Sequence, residues 1–207
     1  MTNKKFRYEY VDMFEKHIFS ALQKVVSDDI TRLNMVSIRY NHVKDELFAT
    51  DGYRFLLLRN CEEFELVFDR VKGDVDSYWT LKGNLLLEHD CLGASPDYQK
   101  LLYDLKWCRK FVLGCSKDGI PSVVSLVTGS VFNRKFFNIL DNPVVDFDSL
   151  FYKPGKPGFA CLSGYNGNML YYIMPLLGRF AGGARNEEAQ EIHDRGLADE
   201  GCEEAQE

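Results

Sequence analysis

Apolar side chains recur at helical spacing over 10–27, where Val11, Phe14, Ile18, Ala21, Leu22 and Val25 fall on one stripe. The opposite face carries Lys16, Ser20, Gln23, Lys24 and Ser27. Asp12 sits in the first turn, where the helix dipole favours an acid. The period then drops to two. Over 33–40, Val36, Ile38 and Tyr40 alternate with Met35, Ser37 and Arg39, which predicts a strand. A turn at 41–45 leads into a β run over 46–50. Asp51-Gly52 supplies a tight turn, and a further strand runs over 53–59. With a short leading strand at 5–9, this stretch reads as strand, helix and a meander of strands.

The same order returns near the other end. A β run over 122–126 precedes a short helix over 133–140, where Phe136, Phe137 and Leu140 are apolar. Strands over 144–152, 159–163 and 169–176 follow, separated by Gly-rich turns at 153–158 and 164–168. The repeat lies in pattern and not in identity. It divides a domain over 1–180 into halves at about 4–59 and 122–177. Residues 60–121 read as a connecting insertion, with strand-like stretches at 63–68, 78–81 and 84–88 and a helical candidate at 97–110.

Composition adds one correction to this picture. At 45% hydrophobic and 14% aromatic, the 207 residues exclude collagen-like, low-complexity and wholly disordered chains. The net charge of −6 is not spread evenly. Residues 181–207 hold nine Asp or Glu against Arg185 and Arg195, so the remainder carries +1. The body is near neutral, and any nucleic-acid contact must come from a local basic face. The 181–207 segment has only Ile192 and Leu197 as large apolar residues, so it reads as an acidic, disordered tail.

The first residues are charged throughout, and no apolar run is long enough to span a bilayer, which points to a cytoplasmic protein. Cys61, Cys91, Cys108, Cys115, Cys161 and Cys202 form no CxxC pair, which suits reduced thiols and argues against zinc.

Catalytic chemistry is not indicated. The chain has no phosphate-binding glycine loop, no dinucleotide fingerprint, no HExxH and no GxSxG. His17, His42, His89 and His193 are scattered. Glu88, His89 and Asp90 are consecutive, but neighbours on a strand point to opposite faces, so a solvated strand end is expected rather than a metal site. Neither an enzyme nor a bound cofactor or metal is expected.

Three segments carry a family resemblance. Residues 46–55, ELFATDGYRF, resemble the stretch of bacterial DNA polymerase III β subunits, the sliding clamps, in which a strand ends in Ala-Thr-Asp-Gly. Residues 96–101, PDYQKL, are similar to a Pro-Asp-Tyr segment further along the same proteins. Residues 171–176, YYIMPL, resemble their C-terminal Met-Pro strand. The resemblance implies an α+β DNA-clamp fold built from βαβββ halves, with antiparallel sheets outside and helices on the inner face.

It also implies a hydrophobic pocket for short peptides of polymerases, clamp loaders and repair proteins. By motif position that pocket would use Thr50, Gly52, Tyr53, Arg54 and Phe55, then Pro96, Lys100 and Leu101, then Tyr172, Ile173, Met174, Pro175 and Leu176. Arg54 would be its polar anchor, and Met and aromatic side chains its adaptable wall. Duplex DNA would pass the inner helices, touched through phosphates by Lys16, Lys24, Arg134 and Lys135, without base readout. The same charges also suit a solvated helix face.

The chain is shorter than the three-domain clamps. The stretch between Arg59 and Pro96 is compressed, and Leu177 stands where a basic residue is usual. A ring would then be a homo-oligomer of more copies than the family's dimer. Two readings remain open: a DNA-encircling polymerase processivity factor, and a clamp-like interaction module that docks peptides without encircling DNA. A hydrolase or nuclease with an unrecognised site is the third class.

Overall fold

A computed structural model describes residues 7–29, 31–32, 35–90, 106–108, 119–153 and 158–176. The chain divides into a compact unit, Met1–Pro175, and a second unit, Leu176–Glu207, of which Leu176 alone is described.

Helix α1 (Met13–Gln23) follows the short strand β1 (Tyr8–Tyr10). It starts at Asp12 because a capping box closes there: the Glu15 amide donates to Asp12 Oδ1 at 2.9 Å, and the Asp12 amide donates to Glu15 Oε2 at 2.6 Å. Strands β2 (Ile38–Asn41), β3 (Glu46–Thr50) and β4 (Arg54–Arg59) then form the expected meander.

A 3-10 turn at Glu62–Phe64 and α2 (Glu65–Val71) occupy the place where a strand over 63–68 was expected. Phe64, Val67, Phe68 and Val71 are all fully buried at helical spacing, so one face of this segment serves the core. Strands β5 (Ser77–Lys82) and β6 (Leu85–His89) form a hairpin at nearly the predicted bounds.

β7 (Lys106–Cys108) lies within the stretch expected to be helical at 97–110, because it pairs with β8; the rest of that stretch is outside the described residues. α3 (Gly119–Thr128) replaces the β run expected over 122–126. Ile120 and Val124, four apart, both enter the core, and the Thr128 hydroxyl donates back to the Val124 carbonyl at 2.8 Å. Pro121 falls in the first turn, where its missing N–H costs nothing.

The helix expected at 133–140 is a 3-10 helix, Arg134–Asp141, capped by the Asn133 side chain. β8 (Ser149–Tyr152), β9 (Ala160–Gly164) and β10 (Met169–Ile173) follow. Strand β8 is shorter than the expected 144–152 because the backbone at Asp146 crosses Gly164, where any Cβ would collide with the Asp146 carbonyl.

The ten strands of the described residues form one antiparallel sheet in the order β1-β6-β5-β2-β3-β4-β10-β9-β8-β7. The stretch 60–121, expected as an insertion, thus supplies strands on either flank of it. The N-terminal and C-terminal strands meet at the β4–β10 pair. Residues from α1, α2, α3 and the 3-10 helix share one core with alternate residues of the strands, including Ile38, Leu47, Leu56, Leu58, Leu162 and Tyr171. The helices therefore cover one face. On the other face, Phe48, Phe55, Leu57, Cys161 and Tyr172 form a second apolar cluster, as the two-residue period of a strand requires.

Candidate functional site

The turn after β3 is built by its own side chains. The Thr50 hydroxyl donates to the Arg54 carbonyl at 2.8 Å and accepts from the Gly52 amide at 3.0 Å. Asp51 Oδ1 accepts the amides of Tyr53 and Arg54 at 2.9 and 3.0 Å. Gly52 has φ +88°, and a Cβ there would press on the Arg32 guanidinium, so two constraints favour glycine. Across the join, Phe55 faces Tyr172 and Arg54 faces Ile173, and the Met174 amide donates to the Tyr53 carbonyl at 2.8 Å. Residues 50–55 and 171–174, far apart in sequence, are therefore adjacent. Pro96, Lys100 and Leu101 lie outside the described residues, and Leu176 is exposed.

The two faces of this join differ in chemistry. On the helical face, Arg54 is a hub with a side chain only 11% exposed. Its Nε contacts Asp51 Oδ2 at 3.0 Å, its Nη2 donates to the Lys24 carbonyl at 2.7 Å, and its Nη1 donates to the Tyr171 hydroxyl at 3.3 Å. The guanidinium also lies 4.9 Å from the Phe136 ring centroid. Lys24 caps the C-terminus of α1, so Arg54 satisfies a carbonyl that the helix cannot, where the dipole favours a cation. Burial opposes the charge of Arg54, but Tyr171 and Asp51 outweigh it. The Tyr171 hydroxyl in turn donates to the Phe136 carbonyl at 2.6 Å. Arg54 is thus committed within the fold, where the sequence had suggested a ligand anchor.

Beside this hub opens a polar cleft of about 580 Å³, bounded by Gln23, Lys24, Val26, Ser27, Asp28, Asp29 and Arg32 on one side and by Asp51, Tyr53, Arg54 and Asn138 on the other. Tyr53 is 55% exposed, with the Arg32 guanidinium 5.9 Å from its ring centroid. Arg32 and Asn138 were not singled out in the sequence, and Asp51 was read only as part of a tight turn. Of these, only Asp51 had a local signal, an acid three residues before Arg54 across a glycine turn.

On the other face, Phe55 (4% exposed) and Tyr172 (1%) stack with ring centroids 5.1 Å apart and planes 6° from parallel. Phe159 stacks on the same tyrosine at 5.6 Å. Phe151, Phe159, Leu170 and Met174 border the cluster and are only partly buried. Thr50, Ile173 and Pro175 are buried. The expected peptide-binding residues thus fall on a closed apolar floor (Phe55, Tyr172), a half-open rim (Met174) and an exposed turn (Tyr53).

The expected DNA-facing residues lie on α1 and the 3-10 helix, which run side by side. Lys24 Nζ donates to the Asn138 carbonyl at 3.4 Å, and the Asn142 side chain donates to the His17 carbonyl at 2.7 Å. Lys16 is half-buried, while Arg134 and Lys135 are exposed. Glu15, on the same helix, is fully buried and pairs with Arg70 Nε at 2.8 Å, tying α1 to α2. Glu88 and His89 do point to opposite faces, but the His89 Nε2 is buried without a partner rather than solvated. Among the described residues no helix is long and apolar enough to cross a membrane.

No model of a protein family matches the sequence, and no curated protein matches it. Solved structures do. DNA polymerase III subunit beta from Borrelia burgdorferi superposes with a TM-score of 0.52 at 15% identity, covering 86% of this chain and 65% of its own. The DNA polymerase sliding clamp from Bacillus subtilis gives 0.49 at 13% identity, with 86% and 66% covered. The beta subunit from Thermotoga maritima gives 0.48 at 12% identity, with 85% and 67% covered. The chain spans about two thirds of the length of these proteins. The Borrelia superposition carries the conclusion: this chain has the α+β fold of the beta sliding clamps, a likeness of fold at 15% identity.

Proposed function

We propose that this protein is a sliding-clamp-like processivity factor, a cytoplasmic, non-enzymatic homo-oligomer that encircles duplex DNA and docks short peptides of a polymerase, with a loader as a possible further partner. The observation that carries the reading is the β4–β10 pair, which joins the 50–55 and 171–174 segments within a clamp fold. The pocket in this reading comprises Tyr53, Phe55, Tyr172 and Met174, with Pro96, Lys100 and Leu101 added by motif position alone. DNA contact is assigned to Lys16, Lys24, Arg134 and Lys135, through phosphates and therefore salt-dependent.

Two measurements test it. Light scattering on a size-exclusion column should give one oligomer that persists on dilution, and that oligomer should be retained on closed circular DNA and lost on linearisation. Replacing Lys16, Lys24, Arg134 and Lys135 together by Ala should reduce retention by roughly tenfold or more while leaving the thermal midpoint within a few degrees. A monomer at every concentration, with DNA and loader present, would sink the ring.

The second reading is a module that docks peptides without encircling DNA. Met174→Asp separates peptide docking from both: it places a charge at the apolar rim and should abolish capture of overlapping polymerase peptides. Unchanged capture by the folded variant would remove the pocket from either reading.

A further inference from the structure

Asn142 follows the last residue of the 3-10 helix and is only 6% exposed. Three of its polar groups serve its own segment. The backbone N–H donates to the Ile139 carbonyl at 3.0 Å, the backbone carbonyl accepts the Val145 amide at 3.1 Å, and Oδ1 accepts the Val144 amide at 3.1 Å. Those bonds end the helix and turn the chain. The fourth group leaves the segment: Nδ2 donates to the His17 carbonyl of α1 at 2.7 Å, across 125 positions of sequence. His17 lies in the middle of α1, where the helix uses its own carbonyls, so this bond satisfies no helix end. Its effect is to tie the two helices together. An aspartate or a serine could make the local bonds, but neither offers the donor that reaches α1.

The residues assigned to DNA contact stand on either side of this tie. Lys16 precedes His17 on α1, and the exposed Arg134 and Lys135 open the 3-10 helix. The 3-10 helix is held to the sheet at Phe136, whose carbonyl accepts from the Tyr171 hydroxyl. A second bond between the two helices, Lys24 Nζ to the Asn138 carbonyl at 3.4 Å, is exposed. A lysine that turns to a phosphate gives such a bond up, whereas Asn142, buried and uncharged, keeps its own. Contacts of cations with phosphate oxygens are short, about 2.7–2.9 Å, so the spacing of the helices decides how many are made at once.

We infer that Asn142 is the positioning residue of this pair of helices: its bond to the His17 carbonyl holds Arg134 and Lys135 at the distance from Lys16 and Lys24 at which all four meet the phosphates of one duplex. The inference rests on the DNA-contact reading and adds what sets the geometry of that surface.

The test follows binding of the full chain to a labelled duplex by fluorescence anisotropy between about 50 and 200 mM salt, reading affinity and its salt slope. Asn142→Ser keeps an acceptor for the Val144 amide and is too short to reach α1. It should bind about tenfold more weakly at the lower salt, with a slope shallower by about two, as Arg134 and Lys135 lose their phosphates. A merely structural role would lower the thermal midpoint and leave the slope of the folded protein unchanged. With Arg134 and Lys135 already replaced by Ala, Asn142→Ser should alter neither affinity nor slope, because the contacts through which it acts are gone. Asn142→Asp, which keeps Oδ1 and loses the Nδ2 donor, is read in the same way if the serine variant does not fold. The inference is overturned if the folded variant keeps the native slope, or if it weakens binding equally in the Arg134 and Lys135 background.

Failure here is distinguishable from failure of the wider reading. If replacing Lys16, Lys24, Arg134 and Lys135 by Ala leaves affinity and slope unchanged, the DNA reading falls and this inference falls with it. If that variant is impaired while Asn142→Ser keeps the native slope, the DNA reading stands and Asn142 only ends its helix.

Discussion

The two faces of the β4–β10 join differ by a single step along each strand. Arg54 and Tyr171 point to the helical face, and Phe55 and Tyr172 to the other. On the helical face polar atoms are matched: Arg54 reaches Asp51, the Lys24 carbonyl and Tyr171, and Tyr171 reaches the Phe136 carbonyl. On the opposite face the same residue type, tyrosine, keeps an unmatched hydroxyl among aromatic rings. A saturated polar network rigidifies the fold and has little capacity left for a ligand. The apolar cluster instead is held by ring stacking, with a partly buried methionine at its border. The comparison separates a matched polar network from an apolar cluster where motif position alone had pooled their residues.

The largest effect that would break this contrast is at the hub. Arg54→Met removes the cation beside Asp51 and leaves the Lys24 carbonyl without its side-chain donor, and should lower stability by about 3 kcal/mol in urea unfolding. A change under 0.5 kcal/mol would show that Arg54 is free for ligands after all. The paired tyrosines sharpen the contrast further. Tyr171→Phe should cost about 1–2 kcal/mol, because it strands the Phe136 carbonyl and an Arg54 N–H, whereas Tyr172→Phe should cost nothing. Equal losses at both positions would erase the distinction between the faces.

The smallest effect concerns pH, at a polar cluster on the apolar face's flank. Arg39 and His42 both hold the Asp76 carboxylate, with His42 Nδ1 at 2.8 Å. Burial raises the Asp76 pKa, but these hydrogen bonds outweigh it and the carboxyl titrates below its ordinary value. The folded state therefore binds fewer protons than the unfolded chain. The stability this adds is fully present above the unfolded value of about 3.9 and is lost as pH falls through the lower folded value. Asp76→Asn should flatten the decline in thermal midpoint across that acidic window and leave the slope near neutrality unchanged. An unaltered acid slope would show that Asp76 titrates alike in both states.

Much of this was readable along the chain, and the residues say why. The stripe from Val11 to Val25, the Asp12 cap and the Asp51-Gly52 turn act over a few residues, so α1 and the β2–β3–β4 meander appear in the structure close to where their patterns end. Segments 63–68 and 122–126 were misread as strands because Val, Leu and Phe runs suit either period. Their helical form depends on which core they meet, as Phe64, Val67 and Phe68 show beneath α1 and the sheet. The candidate site divided in the same way. Its motif residues were legible, but the engagement of Arg54 with Lys24 and Tyr171 was not, since those partners lie 30 and 117 positions away.

The sequence by itself determined the local elements whose signals are short in range, the near-neutral body with its acidic tail, and the segments that resemble a clamp. The tertiary structure decided which side of each strand is core, that β4 and β10 join the N-terminal and C-terminal strands, and that Arg54 meets Asp51, Tyr171 and the Lys24 carbonyl while the Tyr172 hydroxyl meets no partner. The physical reason is one of range. Periodicity and turn chemistry act between residues a few positions apart, whereas burial and hydrogen-bond matching depend on partners that only the folded chain brings together.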